Sequence, residues 1–163
     1  MDAISETRLL EVHPRLAELV RSMAEILAGQ GIQIRVVQSL RSWKEQAALY
    51  AEGRDANGSV VDESKVVTNA KPGTSWHNFG LAVDVAPFNE GIPDWNVNHP
   101  VWKQIVSAGE SVGLTSGSGW RTFPDWPHFQ MTGSYPVSPN DAVRSVFTAG
   151  GMSAVWTDAG LEV

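Results

Sequence analysis

The chain has no cysteine. That excludes a disulfide framework and every thiolate metal site, so a metal must be held by imidazole or carboxylate and the fold must rest on core packing. Long apolar runs are missing as well: no segment approaches the ~20 consecutive apolar residues that a membrane-spanning helix needs. Met1 to Thr7 holds no basic region followed by an apolar run, so the expectation is cytoplasmic synthesis without a signal peptide. Basic residues are few, 12 Lys and Arg against 18 Asp and Glu, for a formal charge of −6. Without a Lys/Arg cluster or a basic amphipathic stretch, neither nucleic acid nor a membrane surface is an expected partner. With 42% hydrophobic and only 18% charged residues the chain is not of the disordered type. Its 163 residues suit one domain. A monomer is expected.

Hydrophobic periodicity marks the elements. Leu16, Leu19, Val20, Met23, Ile26 and Leu27 recur at helical intervals from Pro14 to about Gly29–Gly31. Ile32, Ile34 and Val36 alternate with Gln33, Arg35 and Val37 as a half-buried strand ending near Gln38. Ser42 with Glu45 has the capping-box pattern of a short helix running to Gly53. Residues 54–75 lack periodicity and read as a long loop, a type of segment that often carries function. Leu81 to Ala86 reads as a buried strand, Pro100 to Val112 as a helix, Ser116 to Gly119 as a turn, and His128 to Met131 as a short central strand approached rigidly between Pro124 and Pro127. Ser138 and Pro139 open a last helix that Gly150 and Gly151 break, with a further helical turn over 152–158.

Two segments carry the chemistry. Ser75 to Asp84 offers His77 and Asp84, and Asp125 to His128 offers a second carboxylate and a second imidazole. A hydrolytic zinc site takes three N/O ligands and leaves a position for water, with a nearby acidic group to accept the proton. The natural division is His77, Asp84 and His128 as ligands and Asp125 as base. An ionisable residue inside an apolar strand needs a partner, so Asp84 is either metal-bound or paired to a buried Arg. On spacing alone, His77 as a strand cap, His128 as a satisfied core histidine and Asp125 as a turn cap stay open. Arg41 has the planar fork that suits a substrate carboxylate or an oxyanion, or a surface ion pair. His13 and His99 precede Pro14 and Pro100 and read as cap-region residues. Trp76 and Trp126 flank the ligand candidates and would line a groove for sugars or peptide stems; Trp43, Trp95, Trp102, Trp120 and Trp156 read as packing.

At these residues the chain resembles the VanY-like zinc peptidases (peptidase M15), the D-Ala-D-Ala carboxypeptidases and L-alanyl-D-glutamate endopeptidases that cut bacterial peptidoglycan stems. The resemblance spans about residues 9–133. Besides Ser75 to Asp84 and Pro127-His128-Phe129, it is carried by Leu10 to Leu16, Gln38-Ser39-Leu40-Arg41-Ser42, Glu45-Gln46 and Leu49 to Arg54. It implies an α+β fold of the hedgehog/DD-peptidase type, with a small antiparallel sheet carrying zinc and helices packed on one side. It also implies His77, Asp84 and His128 as Zn2+ ligands, Asp125 as catalytic acid and base, and Arg41, Gln46 and Ser75 at the substrate. Asp rather than Glu at 125 is similar to the phage endolysins. The implied activity is cleavage of the L-Ala to D-Glu bond, acting on the wall after holin-type release. The alternatives are a D,D- or L,D-carboxypeptidase, or a non-catalytic wall-binding module. Residues 1–133 would be the catalytic domain and 134–163 a helical extension packed on it.

Overall fold

The computed structural model describes residues 1–89 and 91–161. A short helix that the sequence pattern did not announce, α1 (Ala3–Leu9), is started by Asp2, whose carboxylate accepts the Ser5 N–H at 2.8 Å. Helix α2 (Pro14–Gly29) is where the periodicity puts it. Pro14 opens it and His13 caps it, Nδ1 accepting the Arg15 N–H at 3.0 Å. His99 does the same for Val101 at 3.2 Å, just ahead of α4 (Val101–Ser111). The Ser42–Glu45 capping box is formed and opens α3 (Trp43–Ala51).

Five antiparallel strands make one sheet: β1 (Ile34–Gln38), β2 (Ala82–Asn89), β3 (Ile92–Pro93), β4 (Thr115–Gly117) and β5 (Asp125–Gln130). Their order is β1-β2-β5-β4, and β3 folds back on the end of β2. The α+β class with a small antiparallel sheet is thus the observed one. Side chains alternate across β2, so Val83 and Val85 point into the main core with α2 and α4 while Asp84 points to the other face. That core is mostly aliphatic, built from residues such as Leu16, Val20, Leu27 and Ile105, with Trp102 and Phe129 as its rings.

Two segments differ from their sequence pattern. The Ser/Gly-rich stretch expected as a turn contains β4, because Ser116 is buried against β5 and pairs with Phe129. β5 starts at Asp125, earlier than expected, and runs through Pro127. A register shift between Ser116 and Gly117 accommodates this, Gly117 pairing with Asp125 instead of continuing the ladder.

The C-terminal helix α5 (Asp141–Asp158) opens at the Asn140 cap rather than at Ser138–Pro139, and Gly151 breaks its backbone at φ 70°, ψ −162°. It covers a second core of different character: Trp76 and Phe79 with Val143 and Val155, joined by Trp43, Tyr135, Phe147 and Trp156. No helix among the described residues is long and apolar enough to cross a membrane.

Candidate metal centre and active-site cleft

His77 lies in a single 3-10 turn, Trp76–Phe79, which Gly80 closes in the left-handed conformation at φ 65°. Hydrogen bonds lace this turn to the linker after β1. The Arg41 N–H donates to the His77 carbonyl at 3.0 Å, and Asn78 Nδ2 donates to the Arg41 carbonyl at 2.9 Å. His77 Nδ1 donates to the Ser39 carbonyl at 2.8 Å. A carbonyl only accepts, so the proton sits on Nδ1 and the Nε2 lone pair is left facing the cleft.

The second imidazole is fixed from another direction. His128 Nε2 meets Gln130 Oε1 at 2.9 Å, and the orientation of that amide is set by Gln130 Nε2 donating to the Val137 carbonyl at 2.9 Å. His128 therefore carries its proton on Nε2 and turns Nδ1 to the cleft. Asp84 stands opposite His128 in the β2–β5 register. Its Oδ1 lies 3.1 Å from His77 Nε2 and 3.4 Å from His128 Nδ1, and the two nitrogens are 3.2 Å apart. Three lone pairs thus converge with no donor between them.

That arrangement fits a metal. Ligands about 2.0–2.1 Å from a tetrahedral zinc are separated from one another by about 3.3 Å, which the observed spacings match. The outer partners, a backbone carbonyl for His77 and a side-chain amide for His128, are of the kind that hold metal-ligating imidazoles in one tautomer. Both rings are almost fully buried. Burial alone would raise the Asp84 carboxyl, but the charge and hydrogen bonds that His77 and His128 give it when protonated hold it far below the ordinary carboxylate range, so the carboxylate seeks a positive partner on the cleft side. Burial likewise would lower His128, and the hydrogen bond and charge of Asp84 raise it instead. The pocket favours positive charge at this point.

Asp125 and His128 would face opposite sides of a regular strand, being three residues apart. The irregularity at Gly117 turns both to one side. A Cβ built on Gly117 would lie 3.1 Å from the His128 Cβ and 3.2 Å from the Asp125 Cβ, so glycine leaves room for both to lean over β4. Burial, then the charge of Asp84, raises the Asp125 carboxyl above its usual range, which suits a group that must both take and return a proton.

Arg41 pairs with the outer oxygen of Asp84, Nη2 to Oδ2 at 3.5 Å, so Asp84 joins both a half-buried Arg and the histidines. Gln46, expected at the substrate, is fully buried with both ends of its amide engaged, accepting from Arg41 Nη1 at 3.1 Å and donating to the Ala70 carbonyl at 2.8 Å. It positions Arg41 and ties the loop over 54–75 to the site. Ser75 is half-buried on the cleft wall and its hydroxyl makes no cap bond.

Of the two tryptophans expected to line the groove, Trp76 borders it as part of its buried wall and Trp126 does not border it. Trp76 is 1% exposed, with Nε1 bonded to the Val137 carbonyl at 3.0 Å and its ring stacked on Tyr135. Trp126 packs against the main core on the other face of β5. Besides Trp76 the cleft, about 440 Å³, is flanked by Trp95 and Trp120, both expected to be packing residues. Trp95 is 54% exposed, and the Trp120 ring centre is 4.9 Å from that of His128. Gln130, Ser39 and Gly117 also went unread; only Gln130, on the same strand face two residues from His128, left a signal in the sequence.

Comparison with known proteins accords with this geometry. A family model described as VanY, D-alanyl-D-alanine carboxypeptidase, matches residues 9–123. The peptidoglycan L-alanyl-D-glutamate endopeptidase CwlK of Bacillus subtilis (strain 168) is 30% identical over 129 residues, 74% of either chain. The L-alanyl-D-glutamate peptidase of Escherichia phage T5 is 29% identical over 136 residues, 80% of this chain and 88% of its own. Among solved structures, the Serratia marcescens L-Ala D-Glu endopeptidase ChiX superposes with a TM-score of 0.59 at 28% identity, covering 81% of this chain and 89% of its own. The chain belongs to the VanY D-alanyl-D-alanine carboxypeptidase family.

Proposed function

We propose that the protein is a zinc-dependent peptidoglycan hydrolase that cuts the L-Ala to D-Glu bond of stem peptides. The observation that carries the reading is the convergence of His77 Nε2, His128 Nδ1 and Asp84 Oδ1, with Asp125 brought to the same side of β5. Zinc held by those three atoms would supply Lewis-acid polarisation of the scissile carbonyl and lower the pKa of a water to about 7. Asp125 accepts the proton of the attacking water on a carboxylate oxygen and passes it to the departing amine of D-Glu. Arg41, held by Gln46 and Asp84, directs its remaining N–H donors at a substrate carboxylate on the D-Glu side of the scissile bond. Ser75 offers an uncommitted hydroxyl at the rim. Residues 1–133 form the catalytic unit in this reading, and 134–163 an extension that braces it.

Relatives named for L-Ala–D-Glu cleavage support the endopeptidase assignment over D,D- or L,D-carboxypeptidase activity. The complete set of ligands and base opposes a silent wall-binding module. Mass spectrometry of digested muropeptides tests the choice. Stems released between L-Ala and D-Glu are expected, and terminal D-Ala release from otherwise intact stems would overturn it.

A further inference from the structure

The cleft has two unlike ends. Strand order β1-β2-β5-β4 sets Arg41, which follows β1, on one side of the His77–Asp84–His128 cluster, and Trp120, which follows β4, on the other. Trp95 joins Trp120. The Phe88 N–H turns toward β1 to meet the Gln33 carbonyl, so the Pro87 carbonyl faces the β5 edge, and there it accepts the Asp94 N–H at 2.9 Å. The chain thereby enters Trp95 on the β5 side. Among the described residues lining the cleft, Arg41 is the single Lys or Arg, and it follows β1 while the indoles stand on the β5 and β4 side.

These indoles are held in place. Beside the bond to Pro87, the Asn96 N–H donates to Asp94 Oδ1 at 2.9 Å, a turn that projects Trp95 outward while it stays 54% exposed. The Trp120 N–H is bonded to the Gly117 carbonyl at 3.1 Å, which sets the half-buried ring over His128. Large aromatic surface kept bare at the rim of a polar centre is the expected form of a recognition surface.

The substrate is asymmetric in the same sense. On the D-Glu side of the scissile bond lie carboxylates, which match Arg41. The L-Ala side carries no charge, and its amine is acylated by the lactyl ether of N-acetylmuramic acid, so a sugar ring lies within one residue of the bond that breaks. We propose that Trp95 and Trp120 form a subsite for the muramyl glycan, the apolar C–H face of a pyranose packing on indole while the D-Glu side points to Arg41. This rests on the endopeptidase reading, since a carboxypeptidase acting at terminal D-Ala would hold the glycan several residues away.

The test compares two substrates that differ only in the sugar: disaccharide-L-Ala-D-Glu-diamino acid and the free tripeptide. Wild type is expected to favour the glycosylated form through KM. Trp95→Ala should lower the ratio of kcat/KM, glycosylated over free, about tenfold, the usual scale for truncating an aromatic anchor, and Trp95→Tyr should restore most of it. Equal losses on both substrates, or no preference in wild type, would overturn the subsite and leave the endopeptidase reading intact. Peptide-free GlcNAc-MurNAc, titrated by tryptophan fluorescence, gives a readout without catalysis. Saturable binding weakened by Trp95→Ala supports the subsite, and no binding by wild type overturns it. Trp95-dependent disaccharide binding in a protein that released only terminal D-Ala would instead strike down the endopeptidase reading.

Discussion

The site is assembled from two halves held by different physics. Asp84, Asp125 and His128 stand on adjacent strands, where backbone pairing of Asp84 with His128 sets their separation. Arg41, Ser75 and His77 stand on a linker and a 3-10 turn with no ladder of their own. What holds that half is a lace of side-chain and backbone hydrogen bonds and an aromatic core closed by α5, where Trp156 Nε1 donates to the Phe79 carbonyl at 2.8 Å. Arg144 adds a bond to the Gly73 carbonyl at 3.2 Å. A strand-borne ligand is therefore secured by local pairing, and a turn-borne one needs distant chain brought over it. The family match ends at residue 123, so the brace over the turn lies outside the matched span.

Removing chemistry from the strand half without touching its scaffold should have the largest effect. Asp125→Ala is expected to lower kcat on muropeptides by about 10²–10⁴-fold while bound zinc, measured by metal analysis, stays stoichiometric. Undiminished turnover would remove Asp125 from the base role. The outer partners sharpen the contrast next. His128 is oriented by a side chain, Gln130, and His77 by a backbone carbonyl that no substitution deletes. Gln130→Leu should weaken zinc affinity or activity by about 10- to 100-fold, read with a competing chelator. Unchanged affinity would mean that the strand pairing alone orients His128.

A smaller change probes the turn half. Trp156→Phe keeps a ring against His13 but strips the donor from the Phe79 carbonyl. It should cost about 1 kcal/mol in denaturant unfolding. If the brace transmits to the metal, zinc affinity falls with it; stability loss with zinc affinity intact would separate α5 from the site.

The smallest expected effect is a pH slope at the joint between the two regions. His13 caps α2, and its buried ring meets Trp156 edge-on with centroids 4.8 Å apart. Burial lowers its pKa below the ordinary 6.5. The unfolded chain then binds the proton more readily than the folded one, so this contribution is whole above about pH 6.5 and is lost as pH falls below it. His13→Asn, which retains a capping side chain, should flatten the decline of Tm between pH 7.5 and 5.5 relative to wild type in the same metal state. Parallel profiles would refute it.

Legibility in the sequence followed the range of the interactions. Helix α2, the capping box of α3 and the break at Gly151 depend on neighbours a few residues apart, and the pattern showed them. Helix α1 has too short a periodic stretch, and it depends on packing against β1. Strand β4 hides in Ser and Gly because its status comes from its partner β5. Residue types offered two imidazoles and two carboxylates without fixing them as one cluster, and the family resemblance joined them. The choice of tryptophans was legible only in part: of the indoles beside the ligands in sequence, Trp126 goes to the main core and Trp76 is buried in the cleft wall, while Trp95 and Trp120 reach the cleft through a turn after β3 and another after β4.

By itself, then, the sequence determined which chemistry was available: no thiolate, two imidazoles, two carboxylates and a guanidinium, on elements whose local periods were readable. Tertiary structure alone decided which atoms meet. Ring tautomers are set by the Ser39 carbonyl and by Gln130, and the face of Asp125 is reversed by a bulge opposite Gly117. Those are pairings between distant segments, and a strand's side-chain direction flips with a single-residue change of register, so no local pattern encodes them.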